Sequence, residues 1–186
     1  LVSQINSNIK CIEKIMKKNF GSKKNPLLVS VRSGSKISMP GMMETVLNVG
    51  LTESNVGGLA KMSGNDQFAY DSYRRLIMMY ADVVMEKSNN IKVDNNLGIR
   101  VELENFMSLY RKKINCDSDE KLSGNDLKII CQEFKMIIYR KFRTHFPDDP
   151  YIQLHSAIKA VFKSWDGERA IKYRNIENIP HDMGTA

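Results

Sequence analysis

Apolar residues recur three or four positions apart along most of this chain, the spacing of helices that bury one face. Near the front, the stripe consists of Ile5, Ile9, Ile12, Met16 and Phe20. We predict a helix over residues 4–20 that ends at Gly21, because glycine readily adopts the left-handed conformation that follows a helix. Asn25-Pro26 then marks a turn into the next segment.

The middle of the chain predicts a short helix from Thr52 to about Met62 and then a longer one. The tetrapeptide Ser63-Gly64-Asn65-Asp66 precedes the longer helix. Its expected buried face comprises Phe68, Ser72, Leu76, Ile77, Tyr80, Val83 and Val84. That face continues for about five helical turns, and Arg74 and Arg75 lie off it.

The second half predicts further helices, the first from about Arg100 to Lys113, after an Asn-rich loop at 88–96. The tetrapeptide Ser-Gly-Asn-Asp recurs at 123–126, and the helix after it has the apolar face Leu127, Ile130, Cys131, Phe134 and Ile138. Because the residues after the two copies differ, we interpret the recurrence as shared N-cap chemistry and not as an internal repeat. Asp149-Pro150 begins another helix, whose apolar positions are Leu154, Ile158, Phe162 and Trp165.

One stretch breaks the helical pattern. Residues 27–31 form an apolar, β-branched run that predicts a buried strand, and a second such run covers 45–49. Arg32 ends the first run, and Ser33-Gly34 permits a sharp turn directly after it. One interpretation is a β-hairpin with an exposed arginine. The other is a polyphosphate site, because the guanidinium fork matches phosphate oxygens and loop N–H groups add donors.

This order of elements predicts an α+β fold that is predominantly helical. Residues 52–147 are helical and self-contained in pattern, so we expect them to form a helical insert subdomain. Residues 1–51 and 148–186 would then be the two parts of one discontinuous core.

The amino-acid composition limits the kinds of binding partner that we expect for this chain. The 186 residues are 42% hydrophobic and 26% charged, as in ordinary globular proteins, and no apolar run is long enough to span a bilayer. The net charge of +7 raises nucleic-acid binding as a possibility. The lysines are scattered and lack interleaved aromatic residues, so we interpret them as a solvated basic surface and expect neither nucleic-acid nor membrane partners.

The cysteines and histidines predict no metal site. The three histidines lack a second ligand at helical spacing, and the three cysteines are too widely separated for a zinc site. Cys11 and Cys131 lie within apolar helical patterns, so we expect both to be buried free thiols. Free thiols suit a reducing, cytoplasmic compartment.

A longer comparison of residues favours the phosphate-site interpretation. The string V-R-S-G-x-x-x-S-M-P-G-M-M-x-T-x-L-N-x-G, residues 31–50, resembles the N-terminal nucleotide-binding domain of the pyruvate phosphate dikinase family. Residues 68–75, 157–165 and 169–174, with Ile179-Pro180 and Gly184-Thr185-Ala186, resemble further blocks of that family in the same order. The resemblance therefore covers most of the chain.

The resemblance implies part of an ATP-grasp-like domain with a helical insert. In the family, the complete enzyme converts ATP, phosphate and pyruvate into AMP, pyrophosphate and phosphoenolpyruvate through a phosphohistidine on another domain. It uses Mg²⁺, and we expect a homodimer. The phosphate-contacting arginine falls on Arg32, the loop glycine on Gly41 and the threonine on Thr45. Ser33 and Gly34 would shape the turn beside the arginine.

Several parts of the family's machinery are not in this sequence. The Gly-Gly-Lys-Gly loop, the carboxylates expected to hold magnesium, the Thr-Ser-His carrier motif and the pyruvate-binding barrel are absent, so we expect this chain alone to be inactive. Two alternatives stay open: a sister enzyme such as phosphoenolpyruvate synthase or a glucan water dikinase, and a non-enzymatic helical interaction module. Met39, Met42 and Met43 suit either an apolar platform for adenine or ordinary packing under the loop.

Overall fold

The computed structural model describes residues 2–34, 36–89, 91 and 98–185. Within these residues the α-helices are α1 Val2–Met16, α2 Val56–Ser63, α3 Asp66–Tyr80, α4 Ile99–Lys113, α5 Gly124–Phe142, α6 Pro150–Lys163 and α7 Glu168–Ile176. The strands are short: β1 Asn19–Phe20, β2 Pro26–Leu27, β3 Val29–Arg32 and β4 Thr45–Val49. A π-helical turn at Ala81–Glu86 extends α3, and 3₁₀ turns lie at Lys87–Asn89, Asp119–Lys121, Ser164–Asp166 and His181–Met183.

The strands pair in two small ladders. β1 and β2 are parallel, whereas β3 and β4 form an antiparallel hairpin with the pairs Val29–Val49, Val31–Val46 and Arg32–Thr45. Between the first two pairs β4 carries one residue more than β3, a β-bulge at which Asn48 takes a left-handed φ of 58°. The Asn48 side chain donates to the Ser72 carbonyl at 3.2 Å, so the bulge attaches the hairpin to α3.

The strand expected over 27–31 is shorter and less buried than predicted. β3 begins at Val29, and Val29 and Val31 are half-buried while Ser30 and Arg32 are exposed. The reason is that β3 pairs with β4 alone and packs against α6, so its other face meets solvent. The alternation is that of a half-covered strand.

The core surrounds α3, which packs against α2, α5 and β4. The side of α3 that faces this core is formed by Ala69, Tyr73, Leu76, Ile77 and Tyr80. The predicted buried face of α5 is confirmed, since Leu127, Ile130, Cys131, Phe134 and Ile138 are all buried. Each such side chain of Leu or Phe size contributes about 1.5–3 kcal/mol when it leaves water.

The two Ser-Gly-Asn-Asp copies do cap helices, but in different registers. In the first copy Asn65 accepts a hydrogen bond from the Phe68 N–H, while Gly64, with φ 65°, ends α2. In the second copy Ser123 is the N-cap, and it forms a reciprocal capping box with Asp126. Asp149 caps α6 with Pro150 at the first helical position, as predicted.

The first helix ends earlier than predicted. α1 stops at Met16, and Lys17, with φ 53°, takes the left-handed position that we expected for Gly21. Phe20 belongs to β1 instead of the helical stripe. Cys11 is exposed, so the prediction of a buried thiol there is wrong. Ile9 is the buried residue of α1, and two residues along a helix turn a side chain about 200° away from it.

The faces of α3 and α6 also differ from prediction at single positions. Phe68 is 52% exposed and Ala69 replaces it against the core, while Arg74, expected off the face, is only 5% exposed. Arg74 is buried because its guanidinium pairs with Asp71 at 2.6 Å. Val83 and Val84 are buried as expected, but they lie in the π-helical turn. On α6, Phe162 is 40% exposed, whereas its neighbour Val161 is buried.

The fold is predominantly helical α+β, as predicted. The division into a 52–147 insert and a discontinuous core stays a prediction. Within the described residues, no helix combines the length and apolar character needed to cross a bilayer. The loop expected at 88–96 lies largely outside the described residues.

Candidate functional site

Arg32 and Thr45 lie opposite each other at the loop end of the β3–β4 hairpin. Directly opposed residues of antiparallel strands project from the same face, so these two side chains are neighbours. Arg32 is exposed, and among the described residues its guanidinium has no hydrogen-bond or ion-pair partner. Thr45 is half-buried. The pair therefore presents guanidinium donors next to a hydroxyl, which suits binding of a phosphate.

The loop between the two strands contains a β-turn at Met39-Pro40-Gly41-Met42. The Met42 N–H donates to the Met39 carbonyl at 3.1 Å, and Gly41 has a φ of 72°. Proline followed by a residue of positive φ is the pattern of a type II turn, and this dipeptide was the available sequence signal for it. A β-carbon placed on Gly41 would have no heavy atom within 4 Å, so the loop backbone is open to an approaching group here.

Ser33 and Gly34 directly follow Arg32, as the sequence requires, with Ser33 half-buried and Gly34 exposed. The Ser33 hydroxyl makes no hydrogen bond with the described part of the chain. Arg32 and Thr45 are thus brought together by strand pairing, while Ser33, Gly34 and Gly41 lie along the loop that connects them.

The loop is held by a small apolar cluster that is separate from the main core. This cluster consists of Met39, Met43, Val161, Trp165, Ala170 and Ile179. Met39 and Met43 are each 8% exposed, so they pack under the loop and do not form a platform for a base. Met42, which precedes Met43, is half-buried and lines a cleft beside the loop.

A buried arginine supports the same cluster from α7. Arg174 is 2% exposed, and its guanidinium carbon lies 4.1 Å from the centre of the Trp165 ring. It donates to the Trp165 carbonyl at 2.7 Å and to His181 Nδ1 at 3.1 Å. Among the described residues no carboxylate lies within ion-pair distance of it. The ring face and the two acceptors together compensate the buried charge, so the Arg174 guanidinium holds Trp165 in place.

Glu44 anchors the end of the loop, and sequence reasoning missed it. Its backbone N–H donates to Ser164 Oγ at 3.1 Å. Its carboxylate accepts from Arg169 at 2.7 Å and from Lys87 at 3.2 Å. These partners are 43 to 125 residues away along the chain, so no local pattern indicates them.

A cleft of about 680 Å³ lies beside this anchor. It is lined on the loop side by Met42 and Glu44, and elsewhere by both charge signs, with the cations Lys87, Lys163 and Arg169 and the acids Asp166 and Glu168. Arg32, Ser33, Gly34, Gly41 and Thr45 do not line it. The predicted phosphate-binding residues therefore lie outside this cleft. The two regions adjoin at the end of the loop, where Glu44 lines the cleft and the next residue is Thr45.

The residues described do not supply a magnesium site. Among them, no group of three or more His, Cys, Asp or Glu side chains is placed to hold a metal ion. The one acid of the loop, Glu44, is engaged by two cations.

Comparison with known proteins places the chain in a family. The family of pyruvate phosphate dikinase AMP/ATP-binding domains matches residues 1–186. The chain belongs to this family. It is 44% identical over 184 residues, 98% of its length, to the pyruvate, phosphate dikinase of Clostridium symbiosum. It is 41% identical over 186 residues, its full length, to the pyruvate, phosphate dikinase of Giardia intestinalis.

The likeness extends to plants, with 44% identity over 186 residues to the chloroplastic pyruvate, phosphate dikinase of Mesembryanthemum crystallinum. The chain spans 18–20% of the length of these three relatives. The match to this AMP/ATP-binding domain therefore covers about one fifth of each relative's length.

Proposed function

We propose that this chain forms part of the ATP site of a phosphotransferase of the pyruvate phosphate dikinase type. Such an enzyme converts ATP, phosphate and pyruvate into AMP, pyrophosphate and phosphoenolpyruvate, with a phosphohistidine elsewhere in the protein as carrier. The observation that carries the proposal is the exposed guanidinium of Arg32, which has no partner among the described residues and lies opposite Thr45 at the loop end of the hairpin. Membership of the AMP/ATP-binding domain family supports the choice of ligand.

Each loop residue has a role in this proposal. Arg32 neutralises charge that develops on the transferred phosphoryl groups. Thr45 donates its hydroxyl to a phosphate oxygen. Gly41 permits close approach of the backbone, because the space over its Cα is open. Ser33 and Gly34 shape the turn that follows Arg32.

Further parts of the proposal lie outside this chain. Magnesium would accompany the nucleotide and screen its phosphate charge, held by residues other than those described here. The ATP-grasp-like architecture, a homodimer and a cytoplasmic location are expected for the complete protein. The sequence contains no Thr-Ser-His carrier motif, so we expect no turnover by the 186-residue chain alone.

The test uses the complete protein that carries this chain, as wild type and as Arg32→Ala. We would supply ATP, magnesium and pyruvate, with and without phosphate, and follow AMP and pyrophosphate. We expect phosphate-dependent pyrophosphate release, and a fall in kcat/KM of about 100-fold or more in the variant. Arg140→Ala is the matched control, since Arg140 is another exposed arginine, on α5 and remote from the hairpin in sequence.

Other outcomes point to the alternatives. Formation of AMP without any need for phosphate would assign the protein to the water-using or glucan-using sister enzymes. Absence of turnover in the wild type would favour a helical interaction module. Equal activity of wild type and Arg32→Ala would remove Arg32 from the site.

A further inference from the structure

A chain of ion pairs connects α4 to α7 through the end of the loop. Arg100 of α4 lies 3.9 Å from Asp82 Oδ2, and the same oxygen lies 2.9 Å from Lys87 Nζ. Lys87 Nζ also lies 3.2 Å from Glu44 Oε1, which is 2.7 Å from Arg169 of α7. Asp82 and Glu44 are the less exposed members, with side chains 9% and 19% exposed. Charges alternate along the series, so each acid is held by two cations.

The π-helical turn makes the central pair possible. The Lys87 N–H donates to two carbonyls, that of Val83, four residues earlier, and that of Asp82, five residues earlier; the second bond is the π-helical pattern. In a regular α-helix, residues five apart point about 140° away from each other. The wider turn instead places Lys87 over Asp82, on the side of the helix that faces the loop. Ala81–Glu86 therefore orients Lys87 towards Glu44.

Glu44 is fixed at its backbone as well as at its carboxylate. Ser164 Oγ accepts the Glu44 N–H at 3.1 Å and donates to the Val161 carbonyl at 2.7 Å. The next residue, Thr45, begins β4 and pairs with Arg32. A displacement of Glu44 is thus transmitted over one peptide bond to Thr45, next to the guanidinium proposed to bind phosphate.

We propose that Glu44 is a positioning residue for the phosphate-binding loop, and that the π-helical turn acts on this loop through Lys87. The proposal rests on the proposed function for its link to ATP. Glu44 contacts no substrate group in it. Its carboxylate holds the end of the loop between Lys87 and Arg169, so that Thr45 and Gly41 keep their positions relative to Arg32.

The kinetic test uses the complete protein with Glu44→Gln, Lys87→Gln and the double variant. We expect kcat/KM for ATP to fall about three- to fivefold in each single variant, the upper part of the range for an ion pair with one solvent-exposed partner. The Michaelis constant for pyruvate should not change. Because the two residues interact, the double variant should lose less than the product of the single effects. Glu44→Asp keeps the charge and should lie between wild type and Glu44→Gln.

Hydrogen exchange supplies a readout that does not depend on turnover. Peptides covering 36–45 should exchange faster in Glu44→Gln and Lys87→Gln than in wild type, whereas peptides from the α5 core should not change. Lys121→Gln is the matched control, because Lys121 forms an exposed pair with Asp117 at 3.1 Å away from the loop. It should leave both kinetics and loop exchange unchanged.

Defined results would overturn the proposal. Wild-type loop exchange in Glu44→Gln, together with kcat/KM within the error of the control, would show that Glu44 does not position the loop. Multiplicative effects in the double variant would remove the role of Lys87. If instead the wild type lacked turnover while the loop exchanged faster in both variants, the proposed function would be wrong and the positioning role would stand.

Discussion

A single buried glutamine ties the far end of β4 to α6, and its replacement tests how strongly that connection stabilises the fold. Gln153 is fully buried. Its Oε1 accepts the Gly50 N–H at 3.0 Å, and its Nε2 donates to the carbonyls of Leu51 at 3.0 Å and Pro147 at 2.9 Å. Methionine has a similar length and shape but offers none of these bonds, so Gln153→Met removes the hydrogen bonds with little change in volume.

The expected loss of stability follows from the backbone groups that Gln153→Met leaves without a hydrogen-bond partner. A buried backbone group without a partner costs about 1–3 kcal/mol. Gly50 and Leu51 are buried, so their stranded N–H and C=O contribute the full penalty, whereas the half-buried Pro147 carbonyl regains some solvation. We therefore expect Gln153→Met to lower the free energy of unfolding by about 3 kcal/mol. Gln132→Met is the control, because Gln132 is exposed on α5 and should change it by less than about 0.5 kcal/mol.

Equilibrium urea unfolding of the chain, followed by fluorescence of its only tryptophan, Trp165, measures this difference. With a slope of about 2 kcal/mol/M, the transition midpoint of Gln153→Met should fall by about 1.5 M at unchanged slope. A midpoint shift no larger than that of Gln132→Met would refute the reasoning, since it would show that water or relaxation satisfies the stranded groups.

Two other predictions use pairs of residues within the chain. Gly57 and Gly58 are adjacent residues of α2, and alanine can replace either one. The β-carbon of Gly57→Ala would meet open space, so this variant should raise the free energy of unfolding by up to about 1 kcal/mol. A β-carbon at position 58 would lie 2.0 Å from the Lys23 carbonyl oxygen, so stability should fall by about 2 kcal/mol; equal urea midpoints would contradict this. Cys11 is exposed, whereas burial raises the pKa of Cys131 to about 12 and keeps it a protonated thiol at pH 8. Iodoacetamide at pH 8 should therefore label Cys11 first by mass spectrometry, and equal labelling of Cys131 would contradict its burial.

The parts of the fold that sequence predicted are those set by neighbouring residues. The face of α5 follows from apolar spacing, and the cap at Asp149 follows from a short polar side chain before proline. The pairing of the two apolar runs around Arg32 is the β-hairpin that was one of the two interpretations of this stretch, and the loop 33–44 that joins the strands is too long to have predicted it. At Ser63–Asp66 the capping chemistry was right while the capping residue was left open, since Gly64 and Asn65 divide the two helix ends between them.

The parts that sequence missed depend on contacts and helix geometry that the spacing of apolar residues does not encode. The early end of α1 removes Phe20 from the helix because its N–H finds the Glu13 carboxylate at 2.7 Å. Spacing alone cannot distinguish a π-helical turn from an α-helix, so the orientation of Lys87 was not predictable. Met39 and Met43 likewise became packing residues only because Trp165 and Ile179 come back to the loop from the end of the chain.

Three arginines, one on β3 and two on α7, differ in the groups that their guanidinium ions contact. Arg174 is buried against Trp165, and Arg169 is engaged by Glu44 at 2.7 Å. Arg32 alone of these three keeps its guanidinium free within the described part of the chain. A free guanidinium at the end of a strand retains all its donors for an anion, whereas Arg169 is paired with Glu44 and Arg174 donates to the Trp165 carbonyl and to His181. The arrangement therefore favours a division of roles, in which Arg32 meets the phosphate while Arg169 and Arg174 hold the surface that presents it.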